Sequence, residues 1–314
     1  MAALVFDGLQ FGVEVVWREL TMVPLVGPDV PAAAYVTLDE ALATGSVRIT
    51  EVSNHGRVPE LQVVNDADAP VLIADGEELV GAKQNRIVNL TILVPARTRL
   101  TIPVSCVEAG RWQWRSRTFE AAPRLHHAAG RAMKMAQVTA SLAERGERGA
   151  DQLAIWEDVA AKAARLEASS PTAASEAMYR SHEEALAAAV AALAPADGQR
   201  GAVFVLEGRA VGVELFDAAA TWRKLAPKFA RSYALDALDA EFARRRGFAA
   251  PLPARGAESL RAATDELLRR VAAAPEKRFP AIGLGEDIRL AGENVAGGAL
   301  VVGGRLVHLS AFAR

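Results

Sequence analysis

The chain has 314 residues, 51% of them hydrophobic, which is enough for one large domain or two ordinary domains with packed cores. Its formal net charge of −2 gives no electrostatic reason to expect nucleic acid or an anionic membrane as a partner. A single cysteine excludes an intramolecular disulfide and favours a reducing, cytoplasmic location. The N-terminal sequence MAALVFDGLQ lacks the basic region of a signal peptide, and no uncharged apolar run reaches the roughly 18 residues of a membrane helix.

Residues 1–122 are predicted to form a β-rich domain. Short runs of β-forming residues, separated by turn residues about every eight to twelve positions, indicate a β-sandwich-like sheet. Between two of these runs, Thr37 and Glu40 have the spacing of a capping box, which predicts a short helix. A hairpin is predicted at Asp75-Gly76, and a single strand is predicted over residues 87–94.

Residues 111–119, RWQWRSRTF, alternate tryptophan with arginine and other polar residues. On a strand, Trp112 and Trp114 would face one side and the arginines the other. One interpretation is a basic, aromatic surface for a nucleotide or single-stranded nucleic acid. The other, which alternation alone favours, is an edge strand with its tryptophans in the core and its arginines in solvent.

The rest of the chain changes character twice. Residues 123–198 are alanine-rich with apolar stripes at helical spacing, and Ser170-Pro171 has the N-cap and first-turn pattern of one helix. Residues 199–314 are predicted to be an α+β part that packs with the first domain as one compact unit. Its segments GAVFVLEGRAVGVELF and GALVVGGRLVHLSAF match at several positions, which predicts two similar hairpins in related places of one sheet. The predicted fold class is α+β.

A dense polar cluster, Lys83, Gln84, Asn85 and Arg86, lies between two apolar runs. Lys83 and Arg86 offer donors suited to phosphate or carboxylate, while the two amides can bind a sugar hydroxyl or a base edge. The spacing is neither a Walker loop nor a dinucleotide-binding glycine motif. In the alternative interpretation, the amides satisfy the backbone of a turn and the two cations are solvated.

Four nearby residues are candidates for chemistry. Glu77 or Glu78, together with Glu108, can supply a general acid and base, or hard metal ligands, if their strands are neighbours. Cys106 is a candidate nucleophile if nearby cations lower its pKa, and a small buried hydrophobe otherwise. No metal site is predicted, because HExxH and CxxC spacings are absent and the consecutive His126 and His127 would point apart on a helix.

Two motifs, DGEELVGAKQNRIVN (75–89) and IPVSCVEAGRW (102–112), resemble the signature of a bacterial domain family of unknown function. The family is named for its association with ADP-ribosylglycohydrolase and rhodanese-like phosphatase proteins, and the resemblance covers most of the chain. That association implies a role near ADP-ribose, NAD or nucleotide metabolism. The resemblance singles out the following positions without assigning them catalytic roles: Glu77, Glu78, Gly81, Lys83, Gln84, Asn85, Arg86, Cys106, Glu108, Gly110, Arg111 and Trp112.

The resulting hypothesis is a cytoplasmic ligand-binding protein or enzyme that acts on a phosphate-bearing nucleotide such as ADP-ribose. A small phosphate-bearing ligand is the expected partner, no membrane or nucleic acid is expected, and no cofactor is indicated. The candidate ligand-binding residues are Lys83, Gln84, Asn85, Arg86, Arg111 and Trp112, and the candidate catalytic residues are Glu78, Glu108 and Cys106. The alternatives are a non-catalytic protein-interaction module and a cysteine-dependent hydrolase.

Overall fold

The computed structural model describes Phe6 and residues 8–31, 34–247 and 257–314. The expectation about a signal peptide therefore falls largely outside the described residues, because residues 1–5 and 7 are not among them. In the described part of the chain, no helix is both long enough and apolar enough to cross a membrane. Helices and strands both contribute substantially to the structure, which confirms the predicted α+β class.

The N-terminal part consists mainly of short strands. In chain order its elements are β1 (Gln10–Phe11), β2 (Val15–Trp17), β3 (Leu20–Val26), β4 (Val36–Thr37), α1 (Leu38–Ala43), β5 (Val47–Glu51), β6 (Glu60–Asn65), β7 (Val71–Ile73), β8 (Glu77–Gly81), β9 (Arg86–Val88), β10 (Ile92–Val94), β11 (Thr98–Cys106) and β12 (Phe119–Leu125). Strands β4 to β12 form two sheets, with orders β10-β7-β4 and β12-β8-β9-β11-β6-β5. Both sheets contribute to one apolar core, so the sandwich-like arrangement is confirmed.

Helix α1 begins at the predicted capping box. The Glu40 side chain accepts a hydrogen bond from the Thr37 backbone N–H at 2.9 Å, and the Thr37 side chain is paired with the Glu40 backbone. These two bonds satisfy donors that a helix start otherwise leaves free.

Two predictions in this region are wrong for the same reason. Asp75-Gly76 does not close a hairpin, because β7 and β8 on either side of it belong to different sheets. Residues 87–94 are not one strand either: β9 ends at Val88 in the six-stranded sheet, and β10 begins at Ile92 in the three-stranded one. A turn signal shows where the chain changes direction but not which sheet the next strand joins.

The middle of the chain is helical, as predicted. It contains α2 (Ala128–Arg145), α3 (Gln152–Arg165), α4 (Glu176–Ser181) and α5 (Glu183–Ala192). The predicted helix start at Ser170-Pro171 is wrong. The Ser170 hydroxyl instead accepts hydrogen bonds from the backbone of Thr172 at 3.3 Å and Ala174 at 3.0 Å, which closes a turn before α4 begins.

The C-terminal part supplies most of a nine-stranded sheet. Its elements are β13 (Gln199–Leu206), β14 (Arg209–Phe216), α6 (Ala219–Arg245), α7 (Ala257–Ala273), β15 (Glu276–Pro280), β16 (Glu286–Gly292), β17 (Val295–Val302) and β18 (Arg305–Ala313). The order is β1-β3-β13-β14-β18-β17-β16-β15, with β2 also paired to β3. The N-terminal strands thus complete the C-terminal sheet, and the division of the chain at 122 and 198 stays a prediction.

The two similar hairpins are neighbours in this sheet, as their sequences predict. Strand β14 pairs antiparallel with β18, so an approximate two-fold axis relates hairpin β13–β14 to hairpin β17–β18. Each hairpin has a bulge at the matching position, Val211 in the first and Val307 in the second. Glu214 and Ser310 face each other at the axis.

Alternate residues of the nine-stranded sheet face two different helical layers. On one face Phe204 packs in the core that contains Trp222 and Phe229 of α6. On the other face Val203 packs in the core that contains Leu267 of α7. The sheet is therefore covered by helices on both sides.

A buried ionic network joins the nine-stranded sheet to the turn at Asp75. Arg131 of α2 donates to Glu214 Oε1 at 2.8 Å, to Ser310 Oγ at 2.9 Å and to Asp75 Oδ2 at 3.3 Å. Lys134, one helical turn later, also donates to Asp75. Burial lowers the pKa of Lys134 to about 8, although the Asp75 carboxylate favours its charged form. This network places the β8–β9 hairpin, which carries the predicted site, in a defined position.

Candidate functional site

The predicted polar cluster forms the turn of a hairpin. Strand β8 ends at Gly81 and β9 begins at Arg86, which is paired with Leu79. Gly81 has a φ of +133°, and a Cβ there would lie 2.6 Å from Ser116 Oγ, so the position requires glycine. All four cluster residues are buried, with exposures of 8% or less: Lys83, Gln84, Asn85 and Arg86. A buried turn needs internal partners for its polar groups.

Glu108 and Arg111 supply many of those partners. Glu108 Oε2 accepts from the Asn85 backbone N–H at 3.0 Å and from Arg111 Nη2 at 2.6 Å, while Oε1 accepts from Thr172 Oγ1 at 2.7 Å. Arg111 also donates to the Ala82 carbonyl at 2.7 Å. Burial raises the pKa of Glu108, but these hydrogen bonds outweigh it and hold that pKa below its usual value. Glu108 therefore stays charged and positions the turn, with both oxygens engaged.

Arg86 is fully buried, and one edge of its guanidinium group, formed by Nε and Nη2, is unused. Its Nη1 donates to Gln84 Oε1 at 2.6 Å, and its cross-strand neighbour is Cys106. Its Nε and Nη2 form no hydrogen bond of normal geometry with a described residue, and the Cys106 side chain is the nearby group that interacts with the guanidinium as a weak hydrogen-bond partner. Burial lowers the pKa of Arg86, and the nearby Cys106 and Glu51 offset part of that effect. Nε and Nη2 are the two parallel donors with which a guanidinium binds a carboxylate or phosphate.

Glu51 is the carboxylate beside that edge, with Oε1 3.9 Å from Arg86 Nη2. Neither of its oxygens has a hydrogen bond of normal geometry within the part of the chain that the structure describes. Burial raises the pKa of Glu51, and the positive charge of Arg86 and the Lys83 backbone N–H offset only part of that rise. The pKa of Glu51 is thus raised, whereas that of Glu108 is lowered.

Sequence reasoning missed Glu51, although its strand carried a signal. Val47, Ile49 and Glu51 occupy alternate positions of β5 and share the buried face. A carboxylate at an apolar position of an alternating strand is a buried charge, and buried charges need a partner or a function.

Trp112 and Trp114 do not complete the core of an edge strand, so that prediction is wrong. They are 43% and 40% exposed, and residues 109–118 contain neither helix nor strand. Arg111 and Ser116 anchor this segment to the β8–β9 turn, Ser116 Oγ accepting from the Ala82 backbone N–H at 2.9 Å. The tertiary contacts of these two anchors replace the strand pairing that alternation predicted.

The exposed tryptophans lie over the two cations of the turn. Lys83 Nζ lies 5.2 Å from the ring centroids of both Trp112 and Trp114, and donates to the His55 carbonyl at 2.8 Å. Arg86 Cζ lies 5.5 Å from the Trp112 ring. These are cation–π distances, so the Trp112 ring packs against both cations and covers Arg86.

Cys106 is a poor nucleophile in this structure. It is fully buried, and burial raises the pKa of its thiol even though the charge of Arg86 acts in the opposite direction. Its backbone N–H and carbonyl both pair with the Gln152 amide at 2.8 Å. These contacts describe a core residue and argue against the cysteine-dependent hydrolase.

Glu78 lies apart from Glu108. Strand β9 separates β8 from β11, so the condition for the two carboxylates to converge is not met. Arg124 Nε and Nη2 donate to Glu78 at 2.7 and 3.0 Å, and Ser175 Oγ donates at 3.2 Å. The fully buried Glu78 carboxylate is therefore already engaged.

The two consecutive histidines do not lie within a helix. His127 is the N-cap of α2, its side chain accepting from the Gly130 N–H, and His126 precedes it. Their ring centroids are 4.3 Å apart, so the rings adjoin each other, and the premise that they point apart on a helix is wrong.

Residues 8–312 match the family described as the ARG and Rhodanese-Phosphatase-superfamily-associated Protein domain. The matched range includes both motifs on which the family resemblance was based, and it confirms that resemblance. No significant match is found among curated proteins, and none among solved structures.

Proposed function

The chain belongs to the ARG and Rhodanese-Phosphatase-superfamily-associated Protein domain family, and on that premise we propose that it binds a phosphate-bearing nucleotide of the ADP-ribose type beneath Trp112. In this proposal Arg86 and Lys83 bind phosphate, Trp112 stacks on the base, and the protein acts in the cytoplasm. The association with ADP-ribosylglycohydrolase in the family name supports the choice of ligand.

The unused edge of Arg86 carries the proposal. Leaving a buried donor without a partner costs about 1–3 kcal/mol, and this side chain leaves two such donors. A phosphate that accepts from Nε and Nη2 together would supply both missing bonds. Glu51 lies 3.9 Å away, and in its protonated form it would donate to a second phosphate oxygen, which its raised pKa favours.

Trp112 controls access to that edge. Moving its side chain loses cation–π contacts with Lys83 and Arg86, each worth about 0.5–2 kcal/mol. Stacking of a base on the ring recovers about 1–3 kcal/mol, and the phosphate contacts add to that. The balance favours opening when a nucleotide binds. Because the ring is already 43% exposed, it can move without breaking a closed core.

Thermal-shift measurements with ADP-ribose, NAD and mononucleotides test the proposal. Wild-type protein is expected to be stabilised by about 2.7 kcal/mol when the ligand is present at 100 times its Kd. Arg86→Lys keeps the positive charge but removes the two-donor edge, so it should lose most of this stabilisation. The control is Arg48→Lys on strand β5, where the side chain is 55% exposed and its replacement should leave the shift unchanged.

Two results would refute nucleotide binding: no stabilisation of the wild type by any of these compounds, or equal stabilisation of Arg86→Lys. A second candidate function, a protein-interaction module, is favoured by the exposure of Trp112 and Trp114 beside the exposed Arg115. In that case a protein partner would change the emission of these two tryptophans, and nucleotides would not.

A further inference from the structure

A second cluster of ligand-type side chains lies where β12 is followed by α2. His126 and His127 come directly after the last residue of β12, and Asp158 projects from α3. One nitrogen of each histidine and one oxygen of Asp158 lie within 4.8 Å of one another. We propose that these three side chains bind a divalent transition-metal ion such as Zn²⁺, at a site separate from the Arg86 edge.

His126 is the first reason for the proposal. Its side chain is 0% exposed, and neither ring nitrogen has a hydrogen-bond partner within the described ranges. Its backbone is held on both sides, since its N–H donates to the Gly76 carbonyl at 2.8 Å and its carbonyl accepts from Ser232 Oγ at 2.6 Å. A buried imidazole without partners needs an explanation, and a metal ion would use one nitrogen lone pair directly.

The contact between His127 and Asp158 is the second reason. His127 Nε2 lies 2.8 Å from Asp158 Oδ2, an ion-pair contact when that nitrogen carries a proton, although it does not meet normal hydrogen-bond geometry. A metal ion bound between the two groups would replace that proton, and both atoms would then be ligands.

The other nitrogen of His127 has a suitable partner for the metal-bound state. Nδ1 lies 3.3 Å from Asp236 Oδ1 and accepts a hydrogen bond from the Gly130 N–H at 3.0 Å. When Nε2 binds the ion, the ring proton is carried by Nδ1 and is donated to Asp236. This is the carboxylate–histidine–metal arrangement that orients many histidine ligands, and it replaces the bond from Gly130.

Gly130 provides the space for the two rings. A Cβ at this position would lie 2.3 Å from His126 Nε2 and 2.7 Å from His127 Cε1. Glycine within a helix costs about 1 kcal/mol relative to alanine, so the chain gives up helix stability to keep this space open.

Charge and access are also compatible with a cation. Two buried lysines lie near the cluster, and both are paired elsewhere: Lys162 with Asp236 at 2.6 Å and Asp239 at 2.8 Å, and Lys134 with Asp75. The Asp158 carboxylate therefore remains for the ion. The Asp158 side chain is 24% exposed although its Oδ2 is buried, so the cluster comes nearest to solvent at this side chain. Asp236, which lies 3.3 Å from His127 Nδ1, also lines a cavity of about 830 Å³ together with Ala129.

Three protein ligands leave a fourth tetrahedral position for water. At metal–ligand distances of about 2.0–2.2 Å, tetrahedral ligand atoms are about 3.3 Å apart. His127 Nε2 and Asp158 Oδ2, which are 2.8 Å apart, would therefore move slightly apart when the ion binds. Binding displaces any proton held on Nε2 of His127, which makes the affinity fall as the solution becomes more acidic.

Metal titration of chelator-treated full-length protein tests the site. Calorimetry with Zn²⁺ should show one equivalent bound, and Co²⁺ should give the visible absorption bands of a tetrahedral complex. Asp158→Asn and His126→Gln should each weaken Zn²⁺ binding by at least about tenfold. Asp197→Asn, a matched change at a fully exposed aspartate, should bind as the wild type does.

The wild-type titration decides the proposal even if a variant does not fold. Absence of Zn²⁺ and Co²⁺ binding, or undiminished Zn²⁺ binding by Asp158→Asn and His126→Gln, would overturn it. Arg86→Lys should bind Zn²⁺ normally, because its side chain belongs to the other site. A failure of nucleotide binding and a failure of metal binding are therefore distinguishable.

Discussion

Replacing Trp112 by alanine distinguishes a tryptophan in the core of an edge strand from the exposed tryptophan that the structure shows. Truncating a core tryptophan costs about 3–5 kcal/mol. Trp112 is 43% exposed, so only about half of its side-chain surface is buried on folding. Trp112→Ala should therefore reduce the free energy of unfolding by only about 2 kcal/mol. Trp222 is 0% exposed and packs against Phe229 with ring centroids 5.6 Å apart, so Trp222→Ala should cost 3–5 kcal/mol or more.

Urea denaturation followed by circular dichroism measures both costs without relying on tryptophan emission. The comparison is valid if the dependence of the unfolding free energy on urea is the same for all three proteins. Equal losses of unfolding free energy in the two variants would contradict the exposed position of Trp112 and support the edge-strand interpretation, in which Trp112 lies in the core. If Trp112 also stacks on the ligand, its alanine variant should lose the stabilisation by ADP-ribose.

Further predictions concern the buried charges and the cysteine. Arg131→Met leaves Glu214 buried without its bidentate partner and should lower the free energy of unfolding by about 3–5 kcal/mol. The control Arg145→Met, at a side chain that is 59% exposed, should lower it by about 0–1 kcal/mol. Similar losses for the two variants in urea denaturation would be evidence against the network. In the folded state, burial raises the pKa of Glu214, but the charge of Arg131 and the hydrogen bonds to Glu214 lower it by more. The pKa of Glu214 is therefore lower in the folded protein than in the unfolded chain. The stability from this pair is therefore complete above the unfolded pKa of about 4.3 and is lost as the pH falls through the folded pKa. The Tm should decrease between pH 6 and about pH 3, and a Tm that does not change over this range would disprove the assignment. Iodoacetamide should modify Cys106 slowly at pH 7 in the folded protein, because the thiol is buried and its pKa is raised; rapid, complete modification would show that the thiol is accessible.

Features that depend on neighbours in the chain can be predicted from the sequence of this protein. The capping box at Thr37 and the similarity of the two C-terminal hairpins both follow from local spacing and periodicity. The two motifs at 75–89 and 102–112 also identify the family. The buried turn Lys83 to Arg86 lies within the first of these motifs, so its location was predictable even though its burial was not.

Features that depend on contacts between distant segments could not be predicted. The carboxylate beside the unused edge of Arg86 belongs to Glu51, thirty-five positions earlier, and Glu108 accepts a hydrogen bond from Thr172, sixty-four positions later. The exposure of Trp112 depends on anchors to a turn that is itself buried by other segments. Alternation and turn signals describe which face of a strand is apolar, but they are the same whichever sheet or loop covers that face. Which carboxylate meets Arg86, and which tryptophan covers it, therefore depends on how the sheets pack together.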